Sequence, residues 1–414
     1  MNTRRLFKEN VYLKESEALV KSVTEKEGKL LVTFNQTIFF PVGGGQTCDT
    51  GTLSLVEDPK YTFDVTDVYE YGDDIFHVLE PSCDAKLSPI LAEGNKVVMN
   101  LNWDRRFDNM QRHCGEHILT GAFYEFFGGV NRGFHMGESY MTIDISLEKN
   151  PDYKTITWEM AKKAELRTNQ IIWENVPMIT VHFDKKEDAK DLKLRKDLAI
   201  EEDITIVGVE DITKEPYAVA CCGTHPAYTG QVGMVKIYKV EANKGMFRIY
   251  FEAGKRAFEQ YQDRFDILTE LERDLSAGYE DILAKYEKKQ EKSQEIRDRL
   301  FQITAERIVA ESDMIKTAQA ENSDVLVKSY EHLVIDDLLE IGKSISGNIS
   351  KIVILVHEPT NTALLFSDEA DCGKIIKENA KEFGGRGGGK KTNARAVFAK
   401  KEELNSFIDF VKTL

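Results

Sequence analysis

The chain has 414 residues, enough for about two to four domains, and is 42% hydrophobic, 10% aromatic and 30% charged. That composition excludes general disorder, and 70 acidic against 55 basic residues, a net charge of -15, exclude a basic coat over the whole surface. A polyanion must therefore meet a local patch. Six cysteines, Cys48, Cys83, Cys114, Cys221, Cys222 and Cys372, are too sparse for a disulfide scaffold. No apolar run reaches the roughly 18 residues a membrane span needs, and MNTRRLFKEN carries no apolar signal segment. These features predict a soluble, reduced, cytoplasmic, multidomain protein with no membrane partner.

The predicted class is α+β. Residues 1–98 read as strand: β-branched and aromatic runs at 30–40, 51–56, 61–71 and 75–80 are separated by turn residues, which suggests a small barrel. Pro41-Val42-Gly43-Gly44-Gly45-Gln46 forms a special loop between the first two runs. In the mixed block 99–253, apolar groups at Phe107, Met110, Cys114, Ile118 and Phe123 predict a helix over 105–127, stopped by Gly128-Gly129. A strand at 139–147 and a helix at 154–176 follow, then strands at 177–183, 204–210 and 234–254. Residues 254–322 are charged and helical, with apolar stripes on either side of Gly278, which predicts an antiparallel helical hairpin. The hairpin is either a solvated spacer or a dimerisation element.

Residues 323–414 read as a small α/β domain with a helix at 338–346 and strands at 351–358 and 362–368. Between Lys374 and Lys401 nine Lys and Arg face two Glu, a local charge of +7 around Phe383-Gly384-Gly385-Arg386-Gly387-Gly388-Gly389-Lys390-Lys391. Glycines that let backbone N–H groups approach, flanked by cations, predict an anion-binding loop.

His113 and His117 lie four apart on the predicted helix, so both imidazoles share a face. Cys221-Cys222-Gly223-Thr224-His225 brackets a tight turn with a thiol and a third imidazole. Three nitrogens and one sulfur from His113, His117, Cys221 and His225 point to one Zn²⁺ per chain rather than Mg²⁺ or Ca²⁺. Cys222 competes for the place of Cys221. A catalytic zinc usually keeps one position open, so four candidates leave either a closed site or one residue outside the ligand set.

Four stretches taken together resemble one family. FFPVGGGQTCDTG (39–51), WDRRFDNMQRHCGEHILTGAF (103–123), CCGTHPAYTGQVG (221–233) and FGGRGGGKKTNARA (383–396) are similar, in the same order, to the motifs of the long-form AlaX proteins. These are free-standing relatives of the editing half of alanyl-tRNA synthetase, ending in the DHH-associated domain. Cys222 stands where that family usually has Gly, Glu116 where the synthetases often carry Thr, and Phe40 replaces a frequent Tyr. The ATP-dependent aminoacylation domain has no counterpart, so the resemblance implies hydrolysis without charging.

The implied function is zinc-dependent deacylation of alanine tRNA mischarged with Ser or Gly, because an alanine pocket cannot firmly reject either by binding alone. His135 is then expected to contact the serine hydroxyl or the attacking water, Thr224 to offer a hydroxyl near the metal, and Glu116 to orient water. Gln46 is expected to reach the acceptor end of the tRNA or to shape the pocket. Arg105, Arg106 and Arg112 are candidates for acceptor-stem phosphates, and Arg386, Lys390, Lys391 and Arg395 for contacts to the tRNA elbow. The alternative is a non-catalytic, zinc-stabilised tRNA-binding protein that keeps the four ligands as a closed site. A phosphoesterase is disfavoured, since the carboxylate-rich Asp-His-His motif is missing. A homodimer through the helical hairpin or the C-terminal domain is compatible with the sequence.

Overall fold

The computed structural model describes residues 2–26, 29–81, 91–321, 324–349 and 351–414, which leaves Cys83 outside the described residues. Two compact units emerge, Met1–Thr269 and Glu270–Leu414.

The first unit opens with a closed six-stranded barrel. Around it run Glu15–Lys26, Lys29–Phe34, Asp74–Pro81, Thr62–Tyr71, Gly51–Leu55 and Lys96–Leu101. Alternate residues point inward, so Leu30, Val32, Phe34, Leu53, Val65, Ile75, Leu79 and Met99 fill the interior. The barrel matches the sequence expectation, with two corrections. Glu15–Lys26 and Lys96–Leu101 are also strands, and the run at 30–40 breaks at Asn35 before a two-residue strand, Gln36–Thr37.

Helix Trp103–Phe127 leaves the barrel directly. Asn102 caps its start by accepting from Arg105 N–H at 3.2 Å, and Gly128 closes its end in the left-handed region at φ 63°. The helix is buried around most of its circumference. It packs against helix Trp158–Glu174 and the antiparallel sheet Val235–Asn243, Met246–Ala253, Met141–Ser146 and Val130–Met136. A separate three-stranded sheet joins Met178–Lys185, Glu202–Val209 and Val219–Ala220. The core of this half gathers Ile118, Leu119, Phe123, Met141, Ile143, Ile171, Val207, Ile249 and Phe251.

The charged stretch forms helices Gly254–Leu275 and Ile282–Glu321, interrupted at 276–281 where the glycine signal lies. Phe258, Tyr261, Phe265, Leu271, Tyr286, Ile296, Leu300 and Ile303 of the predicted stripes are all exposed.

The second unit is a five-stranded sheet in the order Leu326–Tyr330, Val353–His357, Thr362–Phe366, Asn393–Val397 and Arg386–Gly389. Ile354, Val356 and Leu365 pack on one face with Phe407; Val353, Leu355 and Leu364 pack on the other with Ile341 and Ile315. The glycine-rich segment is therefore not a free loop. Arg386–Gly389 is an edge strand paired antiparallel to Asn393–Val397, and a Cβ on Gly387 would lie 2.0 Å from the Arg395 carbonyl oxygen. Close backbone packing requires glycine there.

Candidate metal centre

The helix places His113 and His117 one turn apart, both buried. The turn after Val219–Ala220 brings Cys221 and His225 to the same point, and one ligand atom from each of the four residues lies within 4.8 Å of the others. Cys221 Sγ is 3.4 Å from His113 Nε2 and 3.4 Å from His225 Nε2. A tetrahedral zinc with Zn–N of about 2.0–2.1 Å and Zn–S of about 2.3 Å sets N and S ligands about 3.5 Å apart. The donor set and its spacing fit that ion. The imidazole centroids crowd at 4.6–4.9 Å, and His117 Nδ1 and His225 Nδ1 are buried without hydrogen-bond partners. Burial holds His113 at about 4 and His225 and His117 well below the usual imidazole range, so all three rings stay in the neutral form a metal requires. Burial pushes the Cys221 thiol up, so a bound cation must drive off its proton. Gly223 N–H donates to its sulfur at 3.3 Å.

Gln46 fixes the orientation of His113. Its Oε1 accepts from Thr224 N–H at 3.1 Å, which identifies that atom as the oxygen, and the same oxygen lies 2.9 Å from His113 Nδ1. Nδ1 therefore carries the proton, and Nε2 keeps its lone pair for the metal. Gln46 Nε2 donates to Thr224 Oγ1 at 2.9 Å. Tight packing holds this arrangement. A Cβ on Gly223 would lie 2.3 Å from His113 Cε1, and Gly45, at φ 83°, would put one 2.6 Å from Phe134 Cδ1.

Several expected roles change. Gln46 is fully buried and its amide is engaged with His113 and Thr224, which leaves it no access to an acceptor end. Residues 130–136 form a strand, and neighbours on a strand face opposite sides. Phe134 lies against His113 with ring centroids 5.6 Å apart, while His135 is exposed and outside the cavity lining. Arg106 is fully buried. Its Nε donates to both Asp49 oxygens at 3.1 and 2.9 Å, Nη1 to Val11 O at 2.8 Å and Nη2 to Ile38 O at 2.7 Å. Arg112 is buried in a bidentate pair with Glu252 at 2.7 and 2.9 Å. Neither guanidinium can meet a phosphate. Arg105 is half-buried, its Nε on the Cys48 carbonyl at 2.9 Å. Cys222 is exposed and outside the four-residue group; a Cβ on Gly44 would touch its sulfur at 3.0 Å.

A cavity of about 360 Å³ opens beside the cluster, lined by His113, Glu116, His117, Asn131, Phe134 and Arg195 among others. Glu116 is buried, and its carboxyl is pushed up by burial. Its Oε1 accepts from Asn131 Nδ2 at 2.7 Å, and Oε2 lies 3.8 Å from His117 Nε2. Thr224 is buried and engaged with Gln46. In the second unit Arg386, Lys390, Lys391 and Arg395 are all exposed. Sequence reasoning missed Asn131, Glu252 and Arg195, which lie outside the motifs, and gave no role to Asp49, which lies inside the 39–51 motif.

An α+β protein with a largely buried cluster of three imidazoles and one thiol at the wall of a small cavity is the class these features define. Residues 204–250 match the Threonyl and Alanyl tRNA synthetase second additional domain, and residues 326–414 match the DHHA1 domain. The chain is 28% identical to the alanyl-tRNA editing protein AlaX-L of Pyrococcus horikoshii, covering 97% of this chain and 96% of that protein. It is 28% identical to the alanine–tRNA ligase of Ignicoccus hospitalis and 30% to that of Pyrobaculum calidifontis, spanning 42% of each ligase. Along nearly its whole length the chain is thus similar to the long-form alanyl-tRNA editing protein AlaX-L, and its two matched segments carry the synthetase second additional domain and the DHHA1 domain.

Proposed function

We propose that the protein is a trans-acting deacylase that hydrolyses the ester of Ser-tRNA(Ala), and of Gly-tRNA(Ala), with one Zn²⁺ held by His113, His117, Cys221 and His225. The observation that carries this reading is the convergence of those four ligand atoms beside a cavity that also holds Glu116. When bound, the ion supplies Lewis acidity to the aminoacyl group. Gln46 and Thr224 keep His113 in its ligating tautomer, and Glu116, held by Asn131, is placed to accept a proton from water. Phe134 walls the cavity and limits its size. Arg386, Lys390, Lys391 and Arg395 supply the cations for tRNA phosphates. Action on aminoacyl-tRNA places the protein in the cytoplasm; among the described residues no helix is long and apolar enough to cross a membrane. Pairing of two copies through the helical segment, arranged as a hairpin, belongs to the same reading.

The test is turnover of Ser-, Gly- and Ala-tRNA(Ala) by the purified protein. Loss of Ser or Gly with Ala spared is the expected result. A second reading is favoured by the count of ligands: four protein donors fill a tetrahedron, as in structural zinc sites. That reading makes the chain a non-catalytic tRNA-binding protein, and it predicts tight binding of all three tRNAs with no turnover.

A further inference from the structure

Arg195 lies in the irregular segment between strands Met178–Lys185 and Glu202–Val209. It is buried, and it lines the cavity beside the metal cluster. Its Nη1 donates to two backbone carbonyls, His117 O at 2.9 Å and Pro216 O at 3.2 Å. The first fastens it to the helix that carries His113 and His117. Unlike the two other buried arginines, which pair with Asp49 and Glu252, Arg195 makes no ion pair among the described residues.

A guanidinium has five N–H donors. Backbone carbonyls occupy one nitrogen, and neither Nε nor Nη2 is among the buried atoms left without a partner. Their donors are therefore available at the cavity wall. Glu116 lines the same cavity and balances part of this charge without forming a direct ion pair, so a guanidinium fixed there with unspent donors suits a negative oxygen arriving from outside.

We propose, on the basis of the deacylase reading above, that Arg195 is a catalytic residue that binds the aminoacyl carbonyl oxygen as it becomes negative. Water oxygen bonds to the carbonyl carbon, and the π pair moves onto the carbonyl oxygen, facing Arg195. The pair then returns, the bond from carbon to the ribose oxygen breaks, and that oxygen takes a proton originating from the attacking water. The second proton of the water passes by way of Glu116 to solvent, and the amino acid is released as a carboxylate, which the same guanidinium can hold.

The experiment compares wild type with Arg195→Gln and Arg195→Ala, each checked for zinc content and melting temperature. With Ser-tRNA(Ala), Arg195→Gln should lower kcat by roughly 10²–10³-fold with little change in KM, as for loss of one oxyanion donor. Added guanidinium should restore part of the kcat of Arg195→Ala. Full kcat in Arg195→Gln, or a loss that accompanies loss of zinc or resists guanidinium, would overturn the assignment. A readout independent of turnover is thermal protection by L-serine against L-serinamide. Wild type should be protected by the carboxylate and not the amide, and Arg195→Gln by neither. A silent wild type that still shows this carboxylate preference refutes the deacylase reading but keeps Arg195 as the anion site; absence of the preference refutes Arg195 itself.

Discussion

Gln46 holds His113 by a 2.9 Å contact between Oε1 and Nδ1, although 67 residues separate them in sequence. The glycine-rich loop thereby sets the tautomer of a residue in the helix, and Thr224 N–H fixes which end of the amide faces the ring. Gln46→Leu keeps the side chain's approximate volume but removes that acceptor. Zinc affinity should fall about 10–100-fold, read by competition with a chromogenic chelator, while the circular dichroism spectrum is unchanged. Unchanged affinity would show that Gln46 does not orient the ligand.

Arg106 and Asp49 anchor the same loop from below. The pair is fully buried, and Asp49 also accepts from Phe40 N–H at 2.7 Å. Asp49→Ala leaves a buried guanidinium uncompensated and should cost about 3–5 kcal/mol in denaturant unfolding. Arg105→Ala, which removes a half-buried contact to one carbonyl, should cost far less.

The barrel contains a pH-sensitive histidine remote from the metal ligands. His77 is buried between Thr37 Oγ1 at 2.8 Å and the Val32 carbonyl at 3.2 Å, and burial lowers it to about 4 from about 6.5. Between those values the unfolded chain binds a proton that the folded barrel refuses. Its contribution is therefore intact above about pH 6.5 and declines as pH falls toward 4, by about 1.4 kcal/mol per unit. His77→Gln should remove one proton from that slope in urea titrations run from pH 7 to 4. An unchanged slope would place the proton uptake elsewhere.

The exposed cations of the second unit should act through charge alone. Arg386→Ala and Lys390→Ala should each weaken tRNA binding and lower the slope of log affinity against log salt by about 0.7–0.9. Equal slopes in wild type and both variants would remove this surface from the tRNA-binding account.

Much of this was legible in the sequence, for identifiable reasons. The i, i+4 histidines and the capped, glycine-stopped helix are local signals, and Trp103–Phe127 lies where periodicity put it. Barrel strands with alternating burial were readable at 62–71 and 74–81, whereas Glu15–Lys26 carries charge on its solvent side and hid its inward residues. Long-range partners were not readable. Arg106 and Arg112 look like surface cations on a helix, and their acids lie 57 and 140 residues away. No local signal marks Val130–Met136 as strand; pairing with Met141–Ser146 makes it one and turns His135 outward. The glycine run 387–389 signals close approach, but only the sheet reveals that the approach is to Asn393–Val397.

The most direct test of the account is deacylation of Ser-tRNA(Ala) by metal-free protein titrated with zinc, in wild type and in the His113→Ala, His117→Ala double variant. Activity rising to a plateau at about one zinc per chain in wild type, and absent at every zinc level in the double variant, is the predicted result. Full activity in metal-free protein or in the double variant would contradict it and move the chemistry away from this cluster.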